Sequence, residues 1–263
     1  MSPFQATVLG AIQGLTEFLP VSSSAHLYVI PRILHWPYAG VAFDVALHWG
    51  TLVALLVAFW RDWLALLTGL FRGSSSERAS TRTTWLKIVV ASIPGAVAGV
   101  LLKDLEETLL RQLPLQAVML VVFGFLLWWI DRVRPVGARD ATPGWGACVA
   151  MGCAQALALV PGVSRSGVTI TAGRLCGVER VSAARFSFLL ATPITFGAGL
   201  VELPHLKGDL PVVTLACGVL TAAIVGVIAI RGLLRWLGRA GFGAFFGYRT
   251  VLAGVIIAEM LRS

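Results

Sequence analysis

The sequence predicts an all-α integral membrane protein built as an inverted repeat, each half a re-entrant helical hairpin followed by three transmembrane helices. Three observations predict it. The chain is apolar: 57% of its 263 residues are hydrophobic, only 13% are charged, and the mean hydropathy is +0.83. A soluble domain carries about 25% charged residues, so a water-exposed helical core is excluded. The chain also contains itself twice. Gln155, Pro161 and Ser164 restate the pattern of Gln13, Pro20 and Ser22, in the same order and at nearly the same spacing. Finally, positive charge is gathered in alternate loops.

The elements follow in order. Residues 3–36 have apolar, helix-like flanks around Pro20 and the serines Ser22, Ser23 and Ser24. A backbone broken at membrane depth is tolerated only when it is buried in protein or lines a wet cavity, so this stretch predicts a re-entrant hairpin. Apolar spans follow at 43–60, 85–102 and 116–130. Crossing a hydrocarbon core of about 30 Å takes roughly 20 such residues, so the shorter spans must be completed by weakly polar neighbours. Residues 145–171, interrupted at Pro161, predict the second hairpin, and spans at 186–201, 212–230 and 244–261 complete the second half. The polar segment 72–84 is predicted to be a flexible loop. The whole, 1–263, is expected to be one membrane domain with repeats at about 1–131 and 145–263. Paired interrupted segments in a duplicated membrane chain point to a site at the repeat interface, with the two hairpin tips meeting near the midplane.

Loop charge sets the orientation. Segments 61–87, 131–144, 172–185 and 231–243 carry five, three, three and three basic residues against two, two, one and no acidic ones. Segments 103–115 and 202–211 carry more acidic than basic residues. The positive-inside rule makes the first four cytoplasmic. The span from Phe43 then runs inward, its counterpart from Phe186 runs outward, and both termini lie outside. The net charge of +8 is therefore topological. No basic face interleaved with aromatics is present to track a phosphate backbone, and a nucleic-acid partner is excluded. Cys148, Cys153, Cys176 and Cys217 lack the spacing of a zinc site and are expected to be small buried residues. No cleavable signal peptide is expected, because the first apolar run holds Gln5, Gln13 and Glu17. The nine Trp suit interfacial anchoring.

Two constellations carry chemistry. Gln13 and Glu17, at i and i+4, share a helix face. Pro20 is expected to end or bend that helix, and Ser22, Ser23 or Ser24 to cap the next, leaving N–H groups aimed at the break. His26 follows within the same turn or two. Ionisable groups inside a membrane are expensive and mark function; the bland alternative is a capping cluster with a buried Glu. The second constellation is Pro161, Gly162, Ser164, Arg165, Ser166, Gly167 and Thr169. An Arg fork, hydroxyls and fresh helix N–H groups make an anion site that suits phosphate; the alternative is an Arg snorkelling to an interface. Asp44 and His48, at i and i+4 near the outer end of a span, either line the pocket or mark the interface. His35 and His205 read as loop residues.

These motifs resemble the undecaprenyl-diphosphate phosphatase family of the bacitracin-resistance type. One family motif is matched at Gln13, Glu17, Ser22, Ser23 and His26, the other at Pro161, Gly162, Ser164, Arg165, Ser166 and Thr169, and the likeness runs over nearly the whole chain. It departs at Gln13, where many members carry Glu, and at Ser24 and Ala25, where Thr and Gly occur. The resemblance implies a bacterial inner-membrane enzyme, multi-pass, that converts undecaprenyl diphosphate to undecaprenyl phosphate for peptidoglycan synthesis. It also implies a divalent cation, Mg²⁺ or Ca²⁺, and a site open to the periplasm. On that footing Ser23 is the expected nucleophile, with Ser22, Ser164 or direct attack by water left open. His26 is its expected base or acid, and Glu17 with Gln13 the metal ligands. Arg165 with Ser22, Ser164, Ser166 and Thr169 is expected to hold phosphate. The expected partners are a polyprenyl diphosphate and membrane lipids; whether the chain pairs as a homodimer stays open. A flippase for a polyprenyl phosphate is the rival, because broken helices in repeats are also transporter architecture. A carrier needs the anion site but no nucleophile beside a base.

Overall fold

In the computed structural model, residues 1–38, 40–102, 112–134, 143–202 and 211–262 are described, and among them there are helices and turns but no strand. Helices α1 (Pro3–Thr16) and α2 (Ser23–Ile33) flank the first break. Next come α3 (Val41–Ala58), α4 (Trp60–Thr68), α5 (Ser75–Leu101) and α6 (Leu113–Val133). The second half has α7 (Trp145–Ala156), a 3-10 turn (Leu157–Leu159), α8 (Arg165–Leu175), α9 (Arg180–Glu202), α10 (Val212–Leu237) and α11 (Gly243–Arg262). His205 and most of the loops 103–115, 131–144 and 202–211 lie outside the described residues.

Among the described residues five helices, α5, α6, α9, α10 and α11, are long and apolar enough to cross a membrane, and α3 and α4, bent by 68° to each other, meet the same test only as a pair. The protein is therefore a multi-pass membrane protein. The helices at the two breaks are shorter. The longest, α1, has 14 residues, about 21 Å at ~1.5 Å per residue, too short for a bilayer core of about 30 Å. They form hairpins, as their interrupted sequence requires.

Two expectations are corrected. Residues 75–84 are not a flexible loop: they are the first turns of α5. Ser74 accepts a hydrogen bond from the Glu77 N–H while the Glu77 carboxylate accepts one from the Ser74 N–H, a reciprocal cap that starts the helix well before its apolar part. Residues 60–68 are likewise helical. Leu64 and Leu67 are exposed on one face of α4 beside the Arg61–Asp62 pair, the make-up of a helix lying in the membrane interface. The cysteines are all free, yet only Cys148 is buried; Cys153 and Cys176 are exposed. In a bilayer the surroundings of an outward thiol are themselves apolar, so burial brings it little.

Small residues let the hairpins seat deeply. Gly10 and Gly14 of α1 face Gly218, Ala222 and Gly226 of α10, and a Cβ at Gly14 would lie 2.6 Å from the Ala222 carbonyl oxygen. Between membrane helices such close approach replaces the hydrophobic drive. The second hairpin repeats the device: Gly152, the counterpart of Gly10 in the second half, lies against the Ala91 backbone of α5. Thus α1 packs on α10 and α7 on α5, each hairpin leaning on a span of the other half, while α3 packs on α9 and α6 on α11. A central core of Phe18, Phe59, Phe188, Ile230 and Phe242 sits behind the breaks.

The four basic segments meet at one end of the bundle. Arg185 pairs with Asp62, and both Arg174 and Arg180 pair with Asp131. Lys87 donates to the Pro143 carbonyl, and Gly241 lies against Asp131. The start of α1 and the end of α2 lie together at the other end, where Phe4 meets Trp36. His35 sits there in an exposed turn at φ +52°.

Candidate active site at the junction of two broken helices

The two breaks have the same unusual backbone. Ser22 has φ +71° and Ser164 φ +72°, and the two serines hold equivalent places in the repeat, each following its glutamine, Gln13 or Gln155, at the same distance along the chain. A non-glycine residue in this region costs on the order of 1–3 kcal/mol, and such strain gathers at functional sites. In both hairpins the strained serine is the N-cap of the helix that leaves the break. Ser164 caps its own helix, its Oγ accepting from Gly167 N at 3.2 Å. Ser22 does not cap α2. Its Oγ accepts from Gly162 N of the other hairpin at 3.1 Å, so the N-terminus of α2 has no side-chain acceptor.

Around this crossing the hairpins are knitted together. The Glu17 carboxylate lies between three groups. Its Oε1 accepts from Arg165 Nη2 at 2.5 Å. Its Oε2 accepts from Ser23 Oγ at 2.6 Å and from Gln13 Nε2 at 3.2 Å. Ser166 Oγ donates to the Leu19 carbonyl at 3.1 Å. Glu17 is buried, while Ser23 and Arg165 are half-buried and reachable. A lone carboxylate or guanidinium inside a membrane costs roughly 2.5–3.5 kcal/mol or more, and pairing Glu17 with Arg165 offsets both.

The expected residues are brought together, but not all in the expected pairs. Ser23 does not meet His26. The His26 Nδ1 lies 2.7 Å from the Ser22 carbonyl, which can only accept, so Nδ1 carries the proton. The bare Nε2 then accepts from Tyr248 O–H at 2.6 Å. The one-turn spacing that brings His26 near Ser23 also lets it reach the carbonyl four residues back, and that carbonyl takes it. Ser164, Ser166 and Thr169 are buried. The Thr169 hydroxyl is held by the Arg165 carbonyl and by Ser187. Of these three hydroxyls only that of Ser166 fastens the two hairpins together; Ser164 bonds within its own hairpin, and Thr169 bonds its own helix and α9. His48, half-buried on α3, does line the site, with Nε2 3.6 Å from Glu17 Oε2. Asp44 accepts from Tyr38 O–H at 2.8 Å further out on the same helix.

Two residues were missed by the sequence reading. Arg249 is fully buried and donates to five backbone carbonyls: Pro20 in one break, Gly162 and Val163 in the other, and Met119 and Leu120 of α6. It satisfies the carbonyls that the broken helices leave over. Hydrogen bonds to a charged group are worth about 1.5–3 kcal/mol each, so several together outweigh the cost of the buried charge. Its neighbour Tyr248 stacks on and bonds His26. A signal existed: a lone Arg within the apolar span 244–261 is itself an intramembrane charge.

A divalent cation fits only in part. Among the described residues no group of three or more His, Cys, Asp or Glu could hold one. Glu17 offers a carboxylate, and Gln13 Oε1 is buried with no hydrogen-bond partner. Mg²⁺ is usually held through one or two carboxylates plus substrate phosphates. The pair therefore suits a cation shared with a phosphorylated ligand, not one held by protein alone.

The family described as Bacitracin resistance protein BacA matches residues 6–255. A protein of Desulforudis audaxviator named undecaprenyl-diphosphatase is 48% identical, over 100% of both chains. Proteins of the same name are 47% identical in Moorella thermoacetica, over 98% of each chain, and 46% in Pelotomaculum thermopropionicum, over 98% of this chain and 97% of that one. With a match spanning nearly all of its length and both breaks, the chain belongs to the BacA family.

Proposed function

We propose that this protein is a membrane phosphatase that hydrolyses undecaprenyl diphosphate to undecaprenyl phosphate and inorganic phosphate. It would recycle the lipid carrier of cell-wall synthesis at the periplasmic face of a bacterial inner membrane. One observation carries the reading: a reachable serine hydroxyl from one hairpin and an arginine from the other are both held by one buried carboxylate, beside an uncapped helix N-terminus. The relatives named undecaprenyl-diphosphatase supply the substrate.

The mechanism follows from the contacts. The diphosphate sits at the N-terminus of α2, where free N–H groups and the helix dipole favour an anion. Arg165 turns from Glu17 to the phosphates and stabilises the charge on the transferring group. Ser23 is the nucleophile and Glu17, already on its hydroxyl, is the base. His26 holds the Ser22 carbonyl, and with it the start of α2. A cation, Mg²⁺ or Ca²⁺, bound by Glu17, Gln13 Oε1 and the substrate would screen the diphosphate charge. A carrier that only flips a polyprenyl phosphate would use the same anion site, yet would have no use for a hydroxyl held on a carboxylate.

The test is phosphate release from undecaprenyl diphosphate by the purified protein in detergent, with Mg²⁺ or Ca²⁺ and with chelator. Ser23→Ala, Glu17→Gln and Arg165→Ala are each expected to lose at least about a hundredfold in kcat, the scale of general-base and charge-stabilising groups, and chelator should stop turnover. Full activity in Ser23→Ala with loss in Ser22→Ala would move the nucleophile to Ser22. No release from a folded protein that still binds the lipid would favour transport.

A further inference from the structure

Away from the junction, the basic end of the bundle holds an open cavity of about 390 Å³, within the range of small-ligand sites. Four helices line it, through Trp128 and Arg132 of α6, Arg180 of α9, Trp236 of α10 and Gly243 of α11. It shares no residue with the junction. We propose that this cavity binds the phosphate of an anionic phospholipid headgroup, at a lipid site separate from the active site.

The charge in the cavity is uneven. Asp131 Oδ1 accepts from Arg174 Nε at 2.9 Å and from Arg180 Nε at 2.8 Å. Arg174 is wholly buried behind the cavity and also donates to the carbonyls of Asp131, Arg134 and Val178. Arg180 differs. A quarter of its side chain is exposed, and among the described residues its two Nη groups have no acceptor. Arg132 is exposed, with its guanidinium 5.7 Å from the centre of the Trp128 ring, and among the described residues it has no carboxylate partner. Three guanidinium groups thus meet one carboxylate. Guanidinium forks suit paired phosphate oxygens, and basic pockets between membrane spans take lipid headgroups.

The backbone leaves room for an anion. A Cβ at Gly241 would lie 2.7 Å from Asp131 Oδ2 and 3.2 Å from Arg180 Nη2, so a side chain there would fill the space beside the arginine. Trp236 Nε1 donates to the Gly241 carbonyl at 3.1 Å and pins the loop. Helix α11 starts at the same place. The first N–H groups of a helix have no acceptor within it, and they add donors to the two arginines.

The surroundings favour a lipid over phosphate in solution. Two walls are indole rings, which settle at the headgroup level of a bilayer. From Trp128 an aromatic ladder runs on between α6 and α11. Trp128 stacks on Phe246 with ring centres 5.5 Å apart, and Phe125, about one turn along α6, lies 5.9 Å from Phe246. Phe125 and Trp129 are exposed, an apolar face along which acyl chains can lie once the phosphate is seated. Free phosphate would gain nothing from that face.

The experiment is native mass spectrometry of the whole protein in detergent, delipidated and then titrated with phosphatidylglycerol, with phosphatidylcholine of the same chains, and with inorganic phosphate. One phosphatidylglycerol should stay bound, at least about tenfold tighter than phosphatidylcholine. Arg132→Ala and Arg180→Gln should each weaken it about fivefold, the scale of one basic residue near an anionic headgroup. Arg78→Ala, which removes an equal charge from the exposed start of α5, should leave it unchanged. Phosphate release by Arg132→Ala in detergent should stay within about twofold of the parent. Equal affinity for the two lipids would overturn the proposal. Equal weakening by Arg78→Ala would also overturn it, since diffuse charge would then suffice. Displacement of phosphatidylglycerol by an equal concentration of inorganic phosphate would overturn the assignment to a lipid. Should Arg180→Gln fail to fold, Arg132→Ala decides alone, because that side chain is exposed.

Discussion

At the residue scale the junction depends on Arg249 as much as on the motif residues. Its guanidinium holds carbonyls from both breaks and from α6 at once, and it does so with a planar fork that a lysine lacks. Arg249→Lys keeps the charge but reaches fewer carbonyls; Arg249→Met keeps the bulk and leaves all of them without that donor. An unsatisfied buried acceptor costs about 1–3 kcal/mol. We predict a graded fall in Tm in detergent, Met below Lys below the parent, and a loss of at least about tenfold in phosphate release for both. A fully active Arg249→Met would mean that the breaks hold their shape without it. The motif residues were legible because Gln13, Glu17, Ser23 and His26 fall close together in the chain, and because Arg165 interrupts an apolar run. Arg249 was not singled out because its partners are carbonyls, which every residue has, so spacing names none of them. The Ser23–Glu17 pair was equally hidden: both residues were named, but a chain reversal at Pro20 decides which side chains face, and residue order does not fix that.

At the scale of elements, two kinds of local signal behaved differently. Apolar length predicted the five spans that are single long helices, α5, α6, α9, α10 and α11, because a bilayer imposes a minimum that few other structures need. The start of α5 was misjudged, since its opening turns are polar and the cap at Ser74 and Glu77 determines them instead. The hairpins pose a further question: what lets α1 lie so close to α10? The small residues Gly10 and Gly14 answer it, and the answer is testable. A side chain at Gly14 begins with a Cβ 2.6 Å from a carbonyl oxygen, and overpacking of that kind costs typically about 1–3 kcal/mol or more. Gly14→Leu should lower Tm by several degrees and displace Glu17, three residues on, with loss of activity. Gly254→Leu on α11 is the control, because a Cβ there meets nothing within 4 Å, and it should match the parent in both. Equal Tm for the two variants would remove close packing as the reason for glycine at position 14.

At the scale of the whole molecule the two halves are related by more than their motifs. One constant offset along the chain connects Gly10 to Gly152, Gln13 to Gln155 and the strained Ser22 to the strained Ser164. Helix α3 runs towards the end where the basic segments gather, whereas its counterpart α9 starts there, at Arg180 and Arg185. That is the relation an inverted repeat requires. It also divides the molecule into a basic end and an end holding the start of α1 and the turn at His35. The positive-inside rule predicts that the basic end is cytoplasmic, which would put Tyr38, Asp44 and His48 on the outer side of the junction. Single-cysteine reporters in a background without native cysteines decide it. His35→Cys should react with a membrane-impermeant maleimide in right-side-out vesicles, and Ser75→Cys only after the membrane is opened. The reverse pattern would turn the site towards the cytoplasm and assign the protein to lipid made inside the cell. Labelling of both from outside would contradict a span through α3. The observed pattern thus fixes which leaflet supplies the diphosphate, since a site at the crossing of two half-length hairpins is reached from whichever side His48 faces.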